Sequence, residues 1–261
     1  FNFVYIPKQM KLSTLSSKFL NFINMFLTFG LNLIDFPKSN SIDDEFDVFN
    51  KKKILIVGSG PSLKRISTEV INKYDYIFAI NYAIEYLSKF ELKNLYLFSC
   101  DTNVIYKIFN SNRSFQYKTI LIPQQTYSAI KLLKLGLKKN ISIIWPNFEF
   151  VKYKSKTFNI TLPLLRVKIA KKKELINWLV KNNSTFNLGL MPHSSFFTLV
   201  ALLIKKGVVK IGTIGIDFSK ENSPMIGKKY KSSTHGDKEP RAYYKFFEEE
   251  VLNIFTDYIK Y

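Results

Sequence analysis

The sequence predicts an α/β protein built on a doubly wound, mostly parallel sheet, and three observations carry that expectation. Short, continuous apolar runs recur after residue 51, helical segments lie between several of them, and a Gly-x-Gly turn follows directly on the first run. Strands buried on both faces of a parallel sheet read as unbroken apolar runs. Alternation of strand and helix in turn calls for right-handed crossover connections.

The elements follow in order. Ile54–Val57 is the first expected strand, and Tyr76–Ile80, Leu95–Ser99, Thr119–Ile122, Ile141–Trp145 and Lys210–Ile214 repeat its character. Helices are expected at Ser67–Lys73, Ala83–Lys89, Ser128–Leu135 and Phe196–Lys206, the last stopped by Gly207, with a final helix over Arg241–Tyr258. The stretch 146–190 breaks the rhythm and is rich in lysine and aromatic residues. It reads as a helical lid inserted over the carboxyl edge of the sheet. Ahead of the first strand, residues 37–50 (PKSNSIDDEFDVFN) place four acids within five positions, the composition of a solvated linker. The expected organisation is therefore a helix and acidic linker over 1–50 and one Rossmann-like domain over 51–261.

Within residues 19–36, Asn21, Asn24, Thr28, Asn32 and Asp35 fall on one helical face, and most of the remaining positions are Phe, Leu, Ile and Met. A spanning helix needs about 20 mainly apolar residues, so these polar groups argue against one. An amphipathic helix lying on a membrane fits, with Lys8, Lys11 and Lys18 facing anionic lipid. The alternative is a helix packed on the domain or on a sister subunit in a homo-oligomer. A signal peptide is not expected, because Ile34-Asp35-Phe36-Pro37 offers no small-residue cleavage site. The expected location is cytoplasmic, with peripheral contact at the inner face of the cytoplasmic membrane.

Composition narrows the chemistry. With 46% hydrophobic residues among 261, the chain has enough apolar material for a core, which excludes disorder as its overall state. One cysteine, Cys100, and two histidines exclude a disulfide framework and a Cys-rich zinc module. No metal site is expected. A net charge of +19 predicts attraction to an anionic partner: nucleic acid, lipid, polyanionic glycan or a phosphorylated substrate. Interleaved Lys and Tyr at 152–154 and 228–230 keep a nucleic-acid-binding class in view, although the charge is spread along the whole chain.

Four clusters could carry chemistry. Gly58-Ser59-Gly60-Pro61-Ser62 follows the first strand, where glycines let backbone N–H groups approach a phosphate or ribose ahead of a helix N-terminus. Leu63 occupies the place of a third fingerprint glycine and no Gly-Lys-Ser/Thr follows, which argues against NAD and against a P-loop. Without a ligand, the same residues make a tight strand-to-helix turn. Asn81 and Asp101 end the second and third strands, at the edge where open parallel sheets bind ligands, and Asp101 equally suits a helix cap. Ser194 and Ser195 precede an apolar helix, as caps or as caps that also hold an anion. Gly215-Ile216-Asp217 closes the Lys210–Ile214 strand. Last, His235 lies among small polar residues in Ser232–Asp237, a setting suited to a general base.

Taken in order, these clusters resemble the bacterial sialyltransferases of glycosyltransferase family 42. The resemblance rests on Gly58-x-Gly60-Pro61-Ser62-Leu63, Asn81, Ser194-Ser195 with the helix to Gly207, Gly215-Ile216-Asp217-Phe218, and His235-Gly236 before the last helix. It implies a single Rossmann-like, GT-A-variant fold. It also implies a metal-independent, inverting transfer of a sialic acid-like nonulosonate from a CMP-activated donor to a glycan or lipo-oligosaccharide hydroxyl. No cofactor beyond that donor, and no nucleic acid, would take part. In this reading His235 is the base, and Gly58, Ser59, Gly60, Pro61, Ser62, Asn81, Asp101, Ser194, Ser195, Gly215, Ile216 and Asp217 surround the nucleotide. Lys229 or Tyr230 would stand in for a phosphate-binding Tyr that this chain replaces by Ser219. Independently of the family, the chain has no Asp-x-Asp, which disfavours a metal-bridged diphosphate donor.

The chain departs from the family at Ser59, Cys100-Asp101 and Pro192, where the family carries Asn, Asn and Arg. Asp101 and Thr234-His235 resemble a neighbouring group, the MptE-like proteins, which include pterin pyrophosphokinases and carbohydrate-modifying enzymes. That group is the second reading.

The base assignment yields the first prediction. His235→Ala should lower turnover by about 10²–10⁴-fold with little change in CMP affinity, and should remove the acidic limb of the pH–rate profile. Near-full transfer with an unchanged profile would refute the assignment.

Overall fold

The computed structural model describes residues 45–110, 117–122, 141–144, 149–154, 159–164, 168–169, 172–180, 190–191, 194–217 and 238–261. In chain order the strands are β1 (Lys53–Val57), β2 (Tyr76–Ile80), β3 (Leu95–Ser99), β4 (Lys118–Leu121), β5 (Ile141–Ile143), β6 (Glu149–Lys154), β7 (Asn159–Leu164), β8 (Lys168–Ile169), β9 (Leu190–Met191), β10 (Lys210–Ile214) and β11 (Asp257–Lys260). Seven of them form one sheet in the order β11-β10-β1-β2-β3-β4-β5, and every pairing in it is parallel. This is the α/β, Rossmann-like architecture that the sequence predicts. From β1 the chain steps outward to β5, then places β10 on the opposite flank of β1. The β1/β10 boundary is thus the point where strand order reverses.

Strand periodicity sorts the apolar side chains onto two faces. Ile54 and Ile56 of β1 join Phe78, Phe98, Ile120 and Ile211 in one core layer, while Leu55 and Val57 join Ile77, Ala79, Leu97 and Ile214 in the other. The second layer is covered by α1 (Thr68–Ile71), α2 (Ala83–Leu87) and α3 (Thr102–Asn110). The first is covered by α4 (Lys172–Val180), α5 (Ser195–Lys205) and α6 (Lys238–Phe247). α5 is apolar almost all round, and Ser195 through Leu203 are all buried, as a central core helix requires.

Four differences from the sequence reading have physical causes. Residues 45–50 are not linker: Phe46 and Phe49 are fully buried, and Glu45 is buried against Lys118 and the Ser142 hydroxyl. The acids mask two aromatic anchors that insert under the sheet. Within 146–190 the described residues are not uniformly helical, since β6 and β7 pair antiparallel over 149–164. α4 lies beside α5, with Leu175 and Leu179 in the core, so this part of the expected lid belongs to a helical layer. Finally, the last helix stops early. After α6 it widens into a π-helical turn over Glu248–Leu252, ends in a short turn over Asn253–Phe255, and Thr256 adopts extended geometry before β11. β11 is a short edge strand with Asp257 and Lys260 at its ends, a composition that blunts an exposed sheet edge and hides the strand from apolar-run criteria.

The expected N-terminal helix over 19–36 and the helix Ser128–Leu135 lie outside the described residues. Among the described residues, no helix is long and apolar enough to cross a membrane.

Phe49 is the hub of the aromatic layer beneath the sheet. Its ring meets those of Phe46, Tyr76, Phe78 and Tyr96 at centroid distances of 5.0–5.6 Å. Phe49→Ala should destabilise the protein by about 3–5 kcal/mol, read as a lower urea midpoint at unchanged slope. A loss below about 1 kcal/mol would show that residues 45–50 do not anchor the domain.

Candidate functional site

The carboxyl edge of the sheet brings together most of the described residues that the sequence singles out. At the switch point, the turns leaving β1 and β10 are locked to each other. Gly58 N–H donates to Ile214 O at 2.8 Å and Gly60 N–H to Gly215 O at 2.7 Å, continuing the parallel ladder past both strands. Gly215 N–H donates to the Ser62 hydroxyl at 2.8 Å, and Ser62 N–H donates to Asp217 Oδ2 at 2.8 Å. Gly215 has φ +71°, and a Cβ there would overlap the carbonyl oxygen of Gly58. Glycine is needed at both positions because two backbones touch. Pro61 opens the short 3-10 helix Pro61–Arg65, where it needs no N–H donor.

These contacts define what Ser62 and Asp217 do in the fold. Ser62 is buried, and its hydroxyl and N–H hold β10's turn; the Asp217 carboxylate caps the 3-10 helix through Ser62 N–H. Asp217 also adds to the upward pKa shift of Tyr244 on α6, which burial dominates. Ser59 differs from its neighbours. It is half-buried, and among the described residues no hydrogen bond engages its N–H or its hydroxyl.

A second cluster lies at the ends of β2 and β3. Asn81 has φ +54°, one of two non-glycine residues in the left-handed region among the described residues. Asparagine tolerates that geometry better than most side chains, and such positions concentrate at functional sites. Ser99, fully buried at the end of β3, donates to Asn81 Oδ1 at 2.6 Å and accepts from Asp101 N–H at 2.9 Å. Asp101 is exposed and caps α3, its Oδ1 accepting from Asn103 and Val104 N–H groups at 2.8 and 3.3 Å. The capping role left open in the sequence is thus filled by one carboxylate oxygen.

A third cluster joins the start of α5 to the end of β3. Ser194 is the N-cap, accepting from Phe197 N–H at a long 3.5 Å. Ser195 is buried, and its hydroxyl accepts from Cys100 N–H at 2.9 Å. Burial pushes the Cys100 thiol up to about 12, against the opposing effect of hydrogen bonds from Thr198 and Ser195. Cys100 is therefore neutral at physiological pH and no thiolate nucleophile.

Ser99 is the residue that sequence reasoning passed over. Its signal was a hydroxyl ending an otherwise apolar run, Leu95–Phe98, at a position where the sheet interior meets the crevice. His235, Lys229 and Tyr230 lie outside the described residues, as do Pro192 and His193. Among the described residues no group of three or more His, Cys, Asp or Glu side chains could hold a metal ion. No protein-family model, curated protein or solved structure matches the chain.

The interlock makes a stability prediction. Gly215→Ala forces a Cβ against Gly58 O in left-handed geometry, so overlap should cost about 1–3 kcal/mol and the backbone roughly 1–2 kcal/mol more. Thermal unfolding measures this directly. An unchanged melting temperature would show that the two turns are not in contact.

Proposed function

We propose that this chain is a sialyltransferase-like glycosyltransferase that moves a nonulosonate sugar from a CMP-activated donor to a glycan or lipo-oligosaccharide hydroxyl. Transfer is inverting and metal-independent, and it takes place in the cytoplasm, with peripheral contact at the inner membrane face. The observation that carries the reading is the position of Ser59 and Asn81. β1 and β2 pair Val57 with Ala79, and Ser59 and Asn81 are each two residues beyond that pair. Among the described residues the Ser59 N–H is unengaged, and it and the Asn81 carboxamide follow adjacent strands beside the switch point, where parallel α/β sheets take nucleotides.

In this reading Ser59 and Asn81 hold the CMP moiety, and the locked β1/β10 turns fix the loop that carries Ser59. Loss of CMP develops charge on the leaving phosphate, which preorganised N–H donors stabilise without reorganisation. His235 takes the acceptor proton.

A second reading is favoured by Asp101. It stands exposed after β3 with one carboxylate oxygen capping α3. In an MptE-like pyrophosphokinase such a carboxylate would face an ATP–magnesium complex.

A thermal-shift panel of CMP, CDP, UDP, GMP and ATP separates the two. The proposal expects selective stabilisation by CMP that persists in EDTA. Magnesium-dependent selectivity for ATP would overturn it in favour of the pyrophosphokinase.

A further inference from the structure

We propose that Ser99 is a positioning residue that fixes the polarity of Asn81, making the carboxamide a hydrogen-bond donor to a phosphoryl oxygen rather than an acceptor from a base or sugar. The inference deepens the CMP reading above and rests on it for the choice of ligand.

The argument begins with proton counting at one buried hydroxyl. Ser99 Oγ accepts from Asp101 N–H at 2.9 Å, so its single proton remains to be donated. Two acceptors are in reach, Asn81 Oδ1 at 2.6 Å and Asp101 O at 3.2 Å. A separation of 2.6 Å is normal for O–H···O and shorter than the usual range for N–H···O. The contact is therefore hydroxyl to carbonyl oxygen, and the amide nitrogen is the outer atom.

Rotation of the amide would reverse its meaning. With the nitrogen inward, Ser99 would accept twice and could donate only to the more distant Asp101 carbonyl. The oxygen-inward arrangement keeps the short bond and leaves both amide N–H groups on a half-buried side chain, with no partner among the described residues. The backbone reinforces this, because Asn81 N–H donates to Phe98 O at 3.2 Å and ties the left-handed turn to β3. Two outward N–H groups select an acceptor-rich ligand, and a phosphoryl group is one that carries negative charge. A nucleoside without phosphate offers only neutral acceptors, which such N–H groups hold less strongly than a charged phosphoryl oxygen.

Asn81→Asp tests the polarity with almost no change of shape. Aspartate tolerates the left-handed backbone and still accepts from Ser99, but its outer atom is now an oxygen. CMP, cytidine and inorganic pyrophosphate are the probes, titrated calorimetrically into the full chain and its variants. Asn81→Asp should weaken CMP and pyrophosphate by about 10–100-fold and leave cytidine unchanged. Ser99→Ala should weaken the same two ligands by about 2–10-fold, because the amide is free to rotate. Circular dichroism confirms folding, and Asn81→Gly, which suits the backbone and lacks the amide, should reproduce the loss.

The outcomes separate the two claims. If CMP binds and Asn81→Asp binds it undiminished, or weakens cytidine equally, the polarity inference falls and the CMP reading stands. If CMP does not bind but pyrophosphate does and loses affinity in Asn81→Asp, the inference stands and the CMP reading falls. If neither binds, both fall.

Discussion

The contact between Gly58 and Gly215 is the constraint on which the rest of the carboxyl edge depends. In an open parallel sheet the turns at the switch point usually part and leave the ligand crevice between them. Here the two turns stay together, held by four hydrogen bonds that extend the β1–β10 ladder through Gly58, Gly60, Ser62, Gly215 and Asp217. Only residues without a side chain allow that approach. With the β1/β10 side closed, the polar groups still accessible at this edge are Ser59 after β1, Asn81 after β2 and Asp101 after β3. The N–H groups of Gly58 and Gly60 are bonded to the β10 turn and fix the loop.

The strand pattern was legible because a doubly covered sheet demands it. Ile54–Val57, Tyr76–Ile80 and Lys210–Ile214 are buried from both sides, and little except a continuous apolar run satisfies such a position. β11 was not legible for the complementary reason. An edge strand needs one paired flank and tolerates charge, so Asp-Tyr-Ile-Lys looks like the tail of the preceding helix. Phe46 and Phe49 were obscured by the acids that surround them in sequence, although both rings are fully buried. Windowed composition averages over side chains that the fold sends in opposite directions.

The candidate site was legible in its residue types and less so in their roles. Gly58, Gly60, Gly215, Asn81, Asp101 and Ser195 all come to one edge of one sheet. What the sequence could not divide was the structural share of each. Ser62 and Asp217 hold two turns together, Ser195 holds β3 to α5, and one Asp101 oxygen caps α3. A hydroxyl or carboxylate in a loop has the same letter whether it binds a backbone N–H or a substrate. Ser99 is the converse case, hidden in a strand yet in contact with Asn81, whose backbone is left-handed.

The central claim is that Ser59 and Asn81 mark a nucleotide site on the β1–β2 side of the switch point. It is tested most directly by following the backbone and side-chain amide resonances of the 15N-labelled protein during titration with CMP. The account predicts saturable shifts led by the Ser59 backbone N–H and the Asn81 side-chain amide, with smaller changes at Gly58 and Gly60, whose N–H groups are already engaged. Saturable shifts confined to another part of the molecule, with Ser59 and Asn81 unmoved, would contradict it.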